Sequence, residues 1–169
     1  MRNEFTRPER FVAGTVGQPG ERALYLQVRS SSRLFSVAVE KAQVQAIAAR
    51  MENMVSEVRK ANPLITVDKL PLDDSPLESP IDSEFEIGAM SLSWKEETKL
   101  ICVELFELED DEEDSEGEVL EINITLGMAS SFSSRSKAVV NAGRLPCPFC
   151  GIPIDPRGHL CPRANGYRR

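Results

Sequence analysis

An α+β fold, with an antiparallel sheet carrying two helices on one face, is what this sequence predicts, and three observations predict it. Apolar residues alternate at period two in six short runs. The period becomes helical twice, and each helical stretch follows three of those runs.

The first run places Phe11, Ala13 and Thr15 between Val12 and Val16, and a GQPG turn at 17–20 breaks it. Leu24, Leu26 and Val28 line one face of the second run. After Ser30, Ser31 and Ser32, residues Phe35, Val37 and Val39 repeat the pattern, so the three read as antiparallel strands. The period then changes. Val44, Ile47, Ala48, Met51, Val55 and Val58 fall on one helical stripe, and Asn62-Pro63 supplies a stop, which predicts a core-facing helix over 41–61. Pro63, Pro71, Pro76 and Pro80, set among acidic side chains, predict an extended linker over 63–83.

The pattern restarts at Phe85. Phe85, Ile87 and Ala89 alternate with Met90, Leu92 and Trp94; Ile101, Val103 and Leu105 form the next strand; Leu120, Ile122, Ile124 and Leu126 form the last. The acidic run at 109–118 between them lacks the spacing of a calcium loop and reads as a solvated hairpin tip. A weaker helix is expected over 128–142, with Phe132 and Val139 two turns apart and Gly143 placed to end it. Each half is thus three strands and a helix, and each first strand carries the same spacing, Phe11-x-x-Gly14 and Phe85-x-x-Gly88. An internal duplication is one explanation; two triplets in an ordinary α+β domain is the other. The expected organisation is an α+β domain over 1–143, with halves 1–62 and 84–143, followed by a tail over 144–169.

The chain has 169 residues, 41% hydrophobic and 28% charged, the balance of a soluble single domain rather than a disordered or membrane protein. It shows neither a membrane-length apolar run nor a secretion signal, so a cytoplasmic location is expected. The net charge of -7 is unevenly spread: residues 135–169 hold 7 Lys and Arg against 1 acidic residue, and the first 134 hold 13 against 26. The body repels polyanions, and the tail can attract them.

The tail also holds the strongest motif. Cys147-Pro-Phe-Cys150-Gly151 has the spacing with which two thiolates reach one metal ion, and His159 and Cys161 return after a proline-rich loop. Residues i and i+2 of an extended segment point the same way, so that second pair converges too. Four ligands, Cys147, Cys150, His159 and Cys161, close a tetrahedral shell and predict structural rather than catalytic Zn²⁺. Such a short segment with few apolar residues needs that staple to fold. A redox dithiol would normally open a helix, which the flanking prolines disfavour. Cys102, alone in a strand, is an alternative fourth ligand.

No phosphate-binding loop, nucleophile elbow or dinucleotide fingerprint occurs, and the single His belongs to the metal motif. No catalytic residues are therefore assigned. The first functional expectation is a non-catalytic module presenting Arg163, Tyr167, Arg168 and Arg169 to a protein partner, since Arg and Tyr commonly anchor interfaces. The second is nucleic-acid binding through the same basic tail, opposed by the acidic body and the scarcity of tyrosines. The third is an enzyme of unrecognised type.

Taken together, RPERFVAGTVGQPGERALYLQ, FEIGAMSLSW and CPFCGIPIDPRGHLCPRANGYRR resemble an uncharacterised family of actinobacterial conserved hypothetical proteins, a domain of unknown function. The resemblance spans nearly the whole chain, is most specific at its end, and implies a bacterial cytoplasmic protein without transferring catalytic residues. Members tend to be encoded beside histidine-phosphatase-like and phosphoinositide-kinase-like proteins. That implies a shared pathway and, for the enzyme alternative, phosphorylated substrates. The serine-rich SSFSSRSK stretch departs from the family's usual look.

Overall fold

The computed structural model describes residues 1–17, 21–110 and 116–142. Seven strands form one mixed sheet in the order β1-β7-β6-β5-β4-β3-β2, accompanied by two helices. The strands are β1 (Arg2–Thr6), β2 (Arg10–Val16), β3 (Ala23–Ser30), β4 (Arg33–Val39), β5 (Ser83–Lys95), β6 (Leu100–Glu107) and β7 (Val119–Ile124). The helices are α1 (Lys41–Ala61) and α2 (Leu126–Asn141).

Two expectations need correction. The sheet is not wholly antiparallel: β4 pairs with β5 in parallel, and β1 pairs with β7 in parallel. The first parallel pairing follows from the connection, because α1 and residues 62–82 carry the chain back before β5 begins, as a crossover to a parallel strand requires. The second involves β1, a strand absent from the six expected. Its sequence RNEFT has one buried apolar residue, Phe5, too little for a periodic signal. The βββα order of each half is otherwise as expected: β2-β3-β4-α1, then β5-β6-β7-α2.

The sheet is rolled, and a short connection requires it. Strands β1 and β2 lie at opposite ends of the order, about 29 Å apart in a flat sheet. Only the backbone from Thr6 to Arg10 joins them, which reaches at most about 14 Å. The rings agree. Phe5 on β1 meets Phe35 on β4 with centroids 6.2 Å apart, although three strands separate them in the order, and Phe35 meets Phe85 at 6.1 Å. Rolling encloses one hydrophobic core to which both helices contribute, through Val44, Ile47 and Met51 of α1 and Ala129 and Phe132 of α2.

Local chemistry sets where each helix starts. Gln43 Oε1 accepts from the Glu40 amide at 2.9 Å, and its Nε2 donates to the Ile87 carbonyl at 2.9 Å, tying the first turn of α1 to β5. Thr125 caps α2 by accepting from the Met128 amide at 3.1 Å, which starts that helix two residues earlier than expected. Helix α2 lies against β2, where Phe132 stacks on Phe11 at 4.4 Å, and against α1, where Ser133 Oγ donates to the Ala48 carbonyl at 2.8 Å.

Residues 62–82 contain no helix or strand, as expected, yet they form a strap fastened at several points. Asp68 sits on the N-terminus of α2, accepting from the Gly127 amide and the Thr125 hydroxyl, both at 2.8 Å, where a helix favours negative charge. Gln27, 2% exposed, donates to the Glu78 carbonyl at 2.9 Å and accepts from the Glu78 amide at 2.8 Å. Leu77 fills the space above Gly14, where an added Cβ would lie 2.4 Å from its side chain. Gly127 is tighter still: a Cβ there would lie 2.1 Å from the Asp68 carbonyl oxygen. Gly127→Val therefore pushes the strap off the helix and lowers stability by about 2–3 kcal/mol, read as an earlier urea midpoint with unchanged slope.

Candidate functional site

The amphipathic pattern of the helices places their polar residues along a shared groove. With the stripe from Val44 to Val58 buried, α1 leaves Glu52, Ser56, Arg59 and Lys60 exposed. With Ala129, Phe132, Ser133 and Ser136 buried, α2 leaves Ser130, Ser134 and Lys137 exposed. These side chains, together with Pro63 and Ile65 of the strap, line a groove of about 630 Å³. Lys137 is ion-paired with Glu52 across it; among the described residues Arg59 and Lys60 form no ion pair. Arg59 and Lys60 belong to the last turn of α1, where cations offset the carbonyl end of the helix dipole.

A second polar cluster lies where α2, β2 and the strap meet. Arg135, 9% exposed, donates from Nε to the Ala13 carbonyl at 2.8 Å and from Nη1 to the Asp73 carbonyl at 2.9 Å. The first bond covers part of an edge strand. Arg10 grips the same Asp73 with two bonds, at 2.7 and 3.0 Å. Hydrogen bonding from Arg10 holds the Asp73 carboxyl below the usual range despite burial, while burial pulls the Arg135 guanidinium down and Asp73 opposes it. Both carboxylate oxygens and the carbonyl of Asp73 are engaged. The cluster is a lock holding the strap, although it borders a cleft of about 330 Å³.

On the far face of the sheet, Arg2 binds Glu104 at 2.6 Å and Glu121 at 2.5 Å, lowering the Glu121 pKa. Cys102, 3% exposed, shares this face with Asn123, its register partner, and desolvation pushes its thiol up.

The metal ligands expected from sequence, Cys147, Cys150, His159 and Cys161, and the tail residues Arg163, Tyr167, Arg168 and Arg169 lie outside the described residues. Among the described residues no group of three or more His, Cys, Asp or Glu side chains is placed to hold a metal ion. Sequence reasoning missed both the groove and the lock. One signal for the lock was available: Arg135 falls three residues after Phe132, on the expected apolar stripe of α2. The groove had none, because its cations read as the solvated face of an ordinary helix.

A family model described as a protein of unknown function, DUF3090, matches residues 3–161. The chain belongs to that family. For this DUF3090 protein, the match takes in the rolled sheet, both helices, the strap and all four candidate zinc ligands, and it stops before Arg163. No curated protein and no solved structure matches the chain. Among the described residues no helix is long and apolar enough to cross a membrane.

Proposed function

We propose that this DUF3090 protein is a cytoplasmic, non-catalytic interaction module whose C-terminal segment is stapled by one structural Zn²⁺. The observation that carries the reading is the run of Cys147, Cys150, His159 and Cys161, four good zinc donors in a span of 15 residues that lies wholly inside the family's matched region. The described body supports His159 rather than Cys102 as the fourth donor, because zinc needs a thiolate and burial disfavours that form at Cys102. A full shell of protein ligands leaves the ion no open position, so its role is to shape the tail. The tail then presents Arg163, Tyr167, Arg168 and Arg169 to a protein partner.

Purified under reductant, the protein is expected to contain close to one zinc per chain, and Cys147→Ser or Cys161→Ser to release it. Zinc-free protein by elemental analysis overturns the reading. Because the core of the described residues is built from the seven strands and two helices themselves, chelation is expected to leave the far-ultraviolet circular dichroism of the sheet and helices in place. A pull-down from native cells, with Tyr167 and the three tail arginines replaced by Ala as control, identifies the partner. Recovery of nucleic acid that is lost steeply with added salt would favour the basic-tail alternative.

A further inference from the structure

We propose that the groove between α1 and α2 binds the phosphate group of a small phosphorylated metabolite with a non-aromatic body. This rests on the groove alone and holds or fails independently of the zinc reading. Among the described residues three cations line it, and of these only Lys137 is ion-paired. Its partner Glu52 is 58% exposed at the side chain and Lys137 is 49% exposed, so the pair is readily exchanged for a better anion. Ser56, Ser130 and Ser134 add three hydroxyls that make no hydrogen bond among the described residues.

The number and kind of groups decide the ligand class. A carboxylate has two oxygens and a single charge, less than the two unpaired cations of the groove can balance. A phosphate monoester carries about -1.5 to -2 charges at neutral pH and three strong acceptor oxygens, which suits the set. Arg59 supplies a planar fork that matches phosphate geometry, and Lys60 and Lys137 supply point charges. The groove is far larger than one phosphate group, and Val55, Pro63 and Ile65 offer an apolar wall for the rest of the molecule. Among the described residues no aromatic side chain lines it, so they offer a stacked nucleobase no platform there.

Full-length, ¹⁵N-labelled protein as purified, titrated with inorganic phosphate and with glycerol phosphate, tests this against acetate and chloride at equal ionic strength. Saturable amide shifts are expected around residues 52–65 and 130–137. Midpoints for the two phosphates should lie at least tenfold below those for acetate or chloride. Arg59→Gln combined with Lys60→Gln replaces two exposed side chains, so the fold is retained, as an unchanged amide pattern elsewhere will confirm. It should weaken phosphate binding at least tenfold. Arg50→Gln combined with Lys69→Gln, which makes the same change in net charge outside the groove, should leave binding unchanged. Equal midpoints for phosphate and acetate, shifts confined to the C-terminal tail, or equal effects of the two double variants would each overturn the proposal.

Discussion

Replacing Asp73 with alanine lowers the unfolding free energy by about 3 kcal/mol, because two largely buried arginines then lose the carboxylate they share. The side chains of Arg10 and Arg135 are 10% and 9% exposed, so water recovers little of what is lost; the 29% exposure of Asp73 keeps the effect at the lower end for a buried pair. The same carboxylate makes the contribution depend on pH. Its folded pKa lies below its unfolded value of about 3.9, so the stabilisation is fully present above the unfolded pKa and is lost as pH falls through the folded one. Urea titrations at a series of pH values should show wild type and Asp73→Asn well separated at pH 6 and converging below about pH 4. A constant separation down to pH 2 would show that the charge of Asp73 does not hold the strap.

Phe132→Ala is expected to cost about 4 kcal/mol, the range for removing a fully buried aromatic side chain. Phe132 is 1% exposed, and its ring lies 4.4 Å from that of Phe11 at an interplanar angle of 12°. This contact joins α2, which follows β7, to β2 at the other end of the strand order, so it helps keep the sheet rolled. A double-mutant cycle with Phe11→Ala should give a coupling of about 1 kcal/mol. Additive losses would mean that each ring is merely buried and the stack contributes nothing of its own.

Most of the secondary structure was legible because its signal is local. α1 runs over Lys41–Ala61, the expected range, since its buried stripe and the Asn62-Pro63 stop are all written within one segment. The six alternating runs became β2 to β7 for the same reason. β1 was not legible. It is held by pairing with β7 and by the bonds of Arg2 to Glu104 and Glu121, partners more than 100 residues away that no local pattern announces. The repeated Phe-x-x-Gly spacing was visible, but the neighbours of its glycines were not: Gly14 makes room for Leu77, and Gly88 for the backbone at Leu108.

The candidate sites divide along the same line. A zinc motif can be proposed from sequence because its donors lie in one short segment and coordination chemistry restricts their types and spacing. By contrast, the groove draws Arg59, Lys60, Ser130 and Lys137 from two helices, and each taken singly is an ordinary surface residue. The residues 63–83 could be read as extended and proline-rich, and no further. That Asp68, Asp73, Leu77 and Glu78 tie this segment to α2, β2 and β3 depends on how the rolled sheet and α2 pack. Local periodicity and turn chemistry thus determined the helix α1 and six of the strands. Which strands pair in parallel, how the edges approach, and which charges meet were decided by burial of one core shared by the strands and both helices. That burial acts between residues far apart in sequence, so no single segment contains it.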